Sequence, residues 1–227
     1  MKTKKNVRRK KIPTPKAAEY SAAEMEAIEK LISEYFGAVE YVYHEITSSG
    51  IHLDICVVPP GEGSDHYTLA TMGMGVRRMN VPKELASYGL ERAELAIALP
   101  PDWKLDKESL MDERWYWPIR LLLSAARIPI KHDTWLGSGH TIQENEGETY
   151  AEGTGLCGCI LIDPPAAGGT RAIGCLPNGD PVNFYQVLPL YKEELDYDIE
   201  YGFDALMTKM GGVASLVVDP RRPSALD

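Results

Sequence analysis

Histidine and carboxylate side chains occur as close pairs along this chain. Two pairs lie in strand-like segments, His52 with Asp54 and Asp65 with His66, and the same residue types recur further on at His132, Asp133 and His140. Such groups can hold a divalent metal ion that activates water, which raises the hypothesis of a metal-dependent hydrolase using His52, Asp54 and His66. Metal sites usually show a short fixed ligand spacing on one element, and none of these pairs has it. We therefore expect no metal, no cofactor and no enzymatic activity, and keep the hydrolase as an alternative.

The cysteines favour a structural role. Cys56, Cys157, Cys159 and Cys175 all lie in apolar, strand-like runs. A one-residue spacer on a strand would point the sulfurs of Cys157 and Cys159 to the same face about 7 Å apart, which is too far for a zinc knuckle. We expect reduced thiols in the core, which suits a reducing compartment.

A glycine-rich segment, MGMGVRR (72 to 78), follows a predicted strand. A phosphate-binding loop would need a third glycine, a lysine–serine pair and a longer helix. The structural interpretation is that Gly73 and Gly75 permit a bulge or sharp turn that ends the strand. Arg77 and Arg78 should then face solvent or an acidic neighbour, and we include both among the candidate protein-binding residues.

Small residues surround an aromatic ring and an imidazole in the segment WLGSGHTI (135 to 142). This composition is typical of a surface loop that a partner's backbone can approach closely. Ser138 lacks the G-x-S-x-G surroundings of an activated nucleophile, so the segment favours binding over catalysis. Trp135, Ser138 and His140 are therefore the main candidate contacts with a protein partner.

Charge is distributed unevenly along the 227 residues. The formal net charge is −9, yet seven basic residues and no acidic ones precede residue 12, so removing +7 from −9 leaves −16 on the remainder. An acidic domain repels nucleic acid and attracts basic proteins, so only the basic tail is suited to nucleic acid or anionic lipid. Apolar runs of about 18 residues are absent, and no apolar segment follows the basic tail, which predicts a cytoplasmic protein without a membrane span or secretory signal.

Helical periodicity predicts several helices. Ser21 and Glu24 form a capping box ahead of a stripe of apolar residues that ends at Gly37. A second helix would have Pro118 in its first turn, with the aromatic residues at its entry interpreted as packing. The predicted helices span residues 21–36, 115–127, 191–201 and 204–210.

Alternating apolar residues predict strands. In the run 51–57 apolar residues occupy every second position, which indicates a strand buried on one face only. The second face of 93–98 carries small residues, so a helix could cover it. The turn 177–181 predicts a hairpin in which Asn178 and Gly179 take positive φ angles. The predicted strands span residues 40–46, 51–58, 66–73, 92–99, 157–162, 171–176 and 182–188, with a short edge strand after 213.

These elements predict an α/β (α+β) fold in a single domain, a central mixed β-sheet flanked by helices. A hydrophobic content of 44% is sufficient for one sizeable core. We place a disordered basic tail at 1–18, the domain at 19–212 and a C-terminal extension at 213–227.

Four segments together resemble the bacterial single-domain members of the suppressor-of-fused family, over roughly residues 40–210. They are HYTLATMGMGVRRMNVP (66–82), RAELAIALP (92–100), WPIRLLLSAARIPIKHDTWLGSGHTI (117–142) and VNFYQVLPLYKEELDYDIEYGFDAL (182–206). In animal relatives a segment related to the third captures an extended peptide of a zinc-finger transcription factor by β-strand addition. Where their motif has an aspartate before the histidine this chain has Gly139, and where it has a tyrosine after Ala-Arg this chain has Ile128.

Stand-alone bacterial relatives are commonly found beside polymorphic toxins and are regarded as immunity proteins. The resemblance therefore implies a non-catalytic protein-binding domain that inhibits a cognate toxin domain, and the acidic charge suits a basic toxin such as a nuclease. Two alternatives stay open: a regulatory adaptor that binds a transcription or signalling factor, and the metal-dependent hydrolase.

Overall fold

The computed structural model describes residues 17–46, 48, 50–61, 63–143, 148–168, 170–211 and 217–227. Most of the tail predicted at 1–18 lies outside these residues. At its end, Ala18 forms a parallel bridge with Ile51, with the Ala18 N–H donating to the Gly50 carbonyl at 2.9 Å. The chain is therefore attached to the rest of the domain from Ala18 onward.

Five α-helices and eight strands are found in the described residues. The helix α1 begins at the predicted capping box: the Glu24 N–H donates to Ser21 Oγ, and the Ser21 N–H donates to the Glu24 carboxylate at 2.8 Å. The helices are α1 (Ala22–Phe36), α2 (Glu113–Ala125), α3 (Ile128–His132), α4 (Lys192–Tyr201) and α5 (Phe203–Lys209). The strands are β1 (Tyr41–Tyr43), β2 (Asp54–Val58), β3 (Tyr67–Met72), β4 (Ala93–Leu99), β5 (Thr141–Ile142), β6 (Gly158–Ile162), β7 (Ala172–Cys175) and β8 (Pro181–Leu190).

All eight strands join one mixed sheet, which confirms the predicted architecture. The order is β1-β2-β3-β4-β8-β6-β5, and β7 pairs with the first half of β8. Every pair is antiparallel except β4 with β8. The strand β5 ends this order, so one of its sides is turned away from the sheet.

Helices cover both faces of the sheet. On one face Trp117 and Leu121 of α2 belong to the main apolar cluster. On the other face Ile28 of α1 shares a buried cluster with Ala96, so the small face of β4 is covered by a helix as predicted. The helices α4 and α5 continue this second layer over β6 and the end of β8, with Leu195 and Leu206 in a third cluster.

Two predictions about strands are wrong in detail. All residues of β2 are buried, including Asp54, because α1 covers the face that was predicted to be exposed. The hairpin of β7 and β8 forms, and Gly179 has a positive φ of 84° as predicted. Asn178 does not, because Asp133 is the single non-glycine residue with positive φ in the described chain. The Leu176 N–H donates to the Asp180 carbonyl, so the loop between the strands is longer than the two-residue turn in which both central residues have positive φ.

The predicted helix at 115–127 begins two residues earlier than expected. Asp112 caps α2 by accepting a hydrogen bond from the Arg114 N–H at 2.9 Å. Pro118 therefore lies in the second turn, beyond the first-turn positions that lack an intrahelical partner. The expected edge strand after 213 is reduced, among the described residues, to one bridge between Val217 and Ala98.

A fully buried carboxylate, that of Glu94 in β4, connects three segments of the chain. Burial raises the pKa of Glu94, and the hydrogen bonds that it accepts act in the opposite direction. The donors are Thr71 Oγ1 (2.6 Å), Tyr20 Oη (2.9 Å), and the N–H groups of Gly73 (3.0 Å), Met74 (3.2 Å) and Gly75 (3.0 Å).

The glycines of this turn are needed for the close approach to Glu94. Gly73 has φ 133°, and a Cβ there would lie 2.1 Å from the His52 carbonyl oxygen. A Cβ on Gly75 would lie 2.4 Å from the Tyr20 hydroxyl. The predicted sharp turn at the end of β3 is thus confirmed, and its function in the fold is to present three backbone donors to one carboxylate.

A second buried carboxylate, that of Glu194 in α4, anchors the C-terminal residues. Arg222 donates to both of its oxygens, from Nη1 at 2.6 Å and Nη2 at 2.5 Å, and the Ala225 N–H donates at 2.8 Å. Burial acts to raise the pKa of Glu194, but Arg222 and the backbone donors outweigh it and lower the pKa. The described residues after 216 are therefore packed on the domain.

We predict that Glu94→Gln lowers the free energy of unfolding by at least about 3 kcal/mol, because the new amide nitrogen would face hydrogen-bond donors without water. Urea unfolding would measure the loss. Glu29→Gln, the same change on the exposed side of α1, should stay within about 0.5 kcal/mol of the wild type. Equal effects of the two substitutions would contradict the assignment of Glu94 as a structural centre.

We also predict that Arg222→Ala costs about 3–5 kcal/mol, since it leaves the buried Glu194 carboxylate unpaired. The exposed neighbour supplies the control, because Arg221→Ala should change stability by less than about 0.5 kcal/mol. Folding lowers the pKa of Glu194, so this stabilisation is present above the unfolded pKa and is lost as pH falls through the folded one. Unfolding curves at several pH values should show the deficit of Arg222→Ala shrinking in acid, and a constant deficit would exclude this ion pair as the cause.

Candidate protein-binding site

The segment from His132 to Ile142, called the binding loop below, runs from the last residue of α3 through β5, the edge strand of the sheet. Asp133 ends α3 with φ 50°, a left-handed conformation that turns the chain away from the helix. Asn80 holds this turn, with its Nδ2 donating to the Asp133 carbonyl at 3.2 Å and its N–H to the Thr134 carbonyl at 3.1 Å. The binding loop is therefore fixed at its start.

The rings of Trp135 and His140 meet edge to face within the binding loop. Their centroids lie 4.3 Å apart with an interplanar angle of 66°. A Cβ on Gly137 would lie 2.7 Å from the Trp135 ring, so glycine is required where the loop folds back. Leu136 between them is buried, and its N–H donates to Met79 Sδ at 3.4 Å. The two predicted contact residues thus form one half-buried unit.

Burial lowers the pKa of His140, and a hydrogen bond with the backbone of Trp135 acts in the opposite direction. The imidazole is therefore held in its neutral form at neutral pH. Because one ring nitrogen donates to the Trp135 backbone, the other nitrogen of the neutral imidazole is an acceptor, which suits recognition of an N–H or O–H donor of a partner.

An open groove of about 1030 Å³ runs beside the binding loop. One wall is formed by the end of α2 and by α3, and the other by the binding loop and β5. Side chains that line it include Arg127, Ile128 and Lys131 on the first wall and Trp135, His140 and Ile142 on the second. The edge of the sheet and the predicted contact residues are thus accessible in the same depression.

The other predicted contacts, Ser138, Arg77 and Arg78, are not among the residues that line this groove. Ser138 is exposed. Arg77 and Arg78 are exposed and directly precede Met79, which contacts the binding loop. Arg78 faces acidic neighbours, as expected, forming ion pairs with Asp180 and with Glu91 at 3.5 Å. Its use in partner binding would require exchange of those ion pairs.

An acidic surface lies on α4 and α5, and α5 comes close to the binding loop. Phe203, the first residue of α5, approaches the position of a Cβ on Gly139 to 4.0 Å. The outward side of α4 and the start of α5 carry exposed carboxylates. They belong to Glu193, Asp196, Glu200 and Asp204.

The residues of the hydrolase alternative do not converge. Asp54 lies 3.0 Å from His52 Nε2 and 3.1 Å from His44 Nδ1, while His66 lies just before β3, beside Asp65. Because Asp54 pairs with Met72, at the far end of β3, the strand register separates His66 from it. Over the described ranges, no three His, Cys, Asp or Glu side chains are arranged to hold a metal ion.

Sequence reasoning missed two members of the His52 cluster. His44 contacts Asp54, and Ser48 Oγ lies 2.7 Å from His52 Nδ1. Both residues belong to the connection between β1 and β2, whose return onto β2 is a property of strand pairing. The sequence Ser-Ser-Gly at 48–50 was the available signal for such a turn.

The cysteine prediction is wrong in two respects. Cys157 and Cys159 are buried but belong to clusters on opposite faces of the sheet, because Cys157 precedes β6 and does not follow its alternation. Cys175 is exposed, at the end of β7. All four are free thiols in the structure.

The geometry defines a mixed α/β domain in which the candidate binding loop lies beside β5, at the edge of the sheet. A sequence model of the family described as Suppressor of fused protein (SUFU) matches residues 49–223. The chain therefore belongs to the suppressor of fused family. It is also 26% identical over 209 residues to an uncharacterised protein of Ureaplasma parvum serovar 3, covering 90% of this chain and 96% of that protein.

Solved structures share the fold at low identity. The suppressor of fused homologue of Neisseria gonorrhoeae FA 1090 aligns with a TM-score of 0.60 and 13% identity, over 89% of this chain and 96% of that one. A Sufu–Fu complex aligns with 0.62 and 16%, over 90% and 93%. Drosophila Suppressor of Fused aligns with 0.61 and 15%, over 90% of this chain but 51% of its own. Within the described residues, no helix is long and apolar enough to cross a membrane.

We predict that His140 titrates below 6.5, the ordinary value for a histidine side chain. Two-dimensional NMR of the ring protons across a pH series would measure this directly. Trp135→Ala should move the His140 pKa back towards that value, because removal of the indole lets water reach the imidazole. An unchanged titration in that variant would mean that Trp135 is not what buries His140.

Proposed function

We propose that this domain is a non-catalytic protein-binding module that acts in the cytoplasm as an immunity-type inhibitor of a cognate toxin domain. The observation that carries the proposal is the pairing of Trp135 with His140 at an open groove beside the last strand of the sheet. Aromatic side chains at the edge of a groove are typical anchors of protein interfaces. Membership of the suppressor of fused family supports the same class, since a relative is known in a Sufu–Fu complex.

The charge of the domain favours a basic partner. The chain after residue 11 carries −16. Burial, together with the nearby carboxylates of Glu193 and Asp196 on α4, raises the pKa of Cys157, whose Sγ accepts a hydrogen bond from the groove residue Gln143 at 3.8 Å. The acidic surface of α4 therefore lies close to one end of the groove. A field of this sign accelerates encounter with a cationic surface, such as that of a nuclease, and salt weakens the effect. An inhibitor needs such rapid capture when its target acts inside the same cell.

A regulatory adaptor is the second candidate. The Sufu–Fu complex favours it, because that relative is known in complex with a partner protein, Fu. The partner's own behaviour separates the two candidates. An inhibitor abolishes the catalytic activity of its partner at equimolar ratio, whereas an adaptor binds a transcription or signalling factor.

The proposal is tested by purifying the tagged full-length protein from its native cells at low and moderate salt and identifying co-purifying proteins by mass spectrometry. The partner is then expressed alone, and its affinity and activity are measured with wild type and variants. Trp135→Ala and His140→Ala should each weaken binding at least about tenfold, as expected of interface anchors. The exposed control Met111→Ala should leave affinity unchanged.

Two outcomes would contradict the proposal. Unchanged affinity in Trp135→Ala and His140→Ala would exclude the binding loop as the interface. A partner whose activity persists when saturated with the domain would exclude the inhibitor and leave the adaptor.

A further inference from the structure

The groove beside the binding loop differs in charge from the domain around it. Arg127, Lys131 and His132 are among its lining residues, and within the described chain that lining contains no carboxylate. The chain after residue 11 carries −16. Over the described residues, the groove is therefore a local cationic site on an acidic protein.

Lys131 supplies the accessible charge of this site. Arg127 is already engaged: its guanidinium forms an ion pair with Glu45, and its Nη1 donates to the Leu123 carbonyl at 2.9 Å. Lys131 is exposed on α3, and among the described side chains no carboxylate lies within ion-pair distance of it. A partner carboxylate entering the groove would meet this ammonium group.

The remaining surface of the groove is largely apolar. Ile128 contributes from α3, Ile142 from β5, and Trp135 and Leu136 from the binding loop. A cationic rim beside apolar walls is complementary to a segment that carries both carboxylate and aliphatic side chains.

Building on the proposed function, we propose that the groove binds a carboxylate-bearing, partly apolar segment of the partner protein. A partner that is basic overall would then engage the acidic surface of α4 with its cationic side and insert one acidic segment next to Lys131. Two adjacent contacts of opposite sign discriminate more strongly than one, because a partner with a single type of charge meets repulsion at one of them.

The test uses the full-length protein and a fluorescein-labelled decapeptide of alternating glutamate and leucine, with binding followed by fluorescence anisotropy. Lys131→Glu should weaken binding about tenfold, from loss of one ion pair and gain of one repulsion, and Lys131→Arg should restore it. Lys107→Glu, an equal charge change at an exposed site far along the chain, is the matched control and should have little effect. A lysine–leucine decapeptide should not bind at the groove.

Several results would overturn this inference. One is equal affinity of wild type and Lys131→Glu for the glutamate–leucine peptide. Another is tighter binding of the lysine–leucine peptide that Trp135→Ala weakens. A third is a dimer of the protein that Lys131→Glu dissociates, which would assign the groove to a second copy. If the affinity of an identified partner depends on Trp135 and His140 but not on Lys131, the inference fails and the proposed function stands. If the glutamate peptide binds while the partner ignores Trp135 and His140, the proposed function fails alone.

Discussion

The hydrogen bonding of one buried carboxylate constrains the arrangement of this domain. Glu94 has no contact with water, so its oxygens are stable only when donors from the protein surround them. Tyr20, Thr71 and the turn from Gly73 to Gly75 must all reach it together. That requirement positions the start of α1, the end of β3 and the first residues of β4. The chain leaves this turn towards Met79, which contacts Leu136, so the constraint extends to the binding loop.

Local sequence predicted the elements better than it predicted the contacts between them. The capping box at Ser21 and the alternation in β4 depend on neighbouring residues, and both predictions hold. The burial of the Glu94 side chain was not predicted, because a glutamate in a strand is normally exposed to solvent and because its hydrogen-bond donors come from distant segments. Asp54 shows the same limit: its burial depends on α1, which lies far away in sequence and covers β2 only in the folded chain.

The candidate site was predictable in part for the same reason. The composition of WLGSGHTI indicates a close-turning loop with an aromatic anchor, since glycine at Gly137 leaves room for the Trp135 ring. The opposite wall of the groove comes from α3, and no pattern within the loop predicts that Lys131 faces it. Likewise His52 and Asp54 were paired from their spacing, whereas the separation of His66 follows from the antiparallel register of β2 and β3.

Net charge and local charge act at different stages of recognition. The field of the whole domain acts over distances comparable to the Debye length of about 8 Å and biases which partners arrive. Close contacts in the groove then determine which of them remain, through apolar burial and a few charges at short range. This chain shares its fold with the solved relatives at 13–16% identity. The choice of partner must therefore depend on residues that vary within this common fold. In this chain Ile128 and Gly139 both line the groove. Neither residue places a charge in the groove, so the ligand chemistry that we propose for it depends on Lys131 and on the apolar walls.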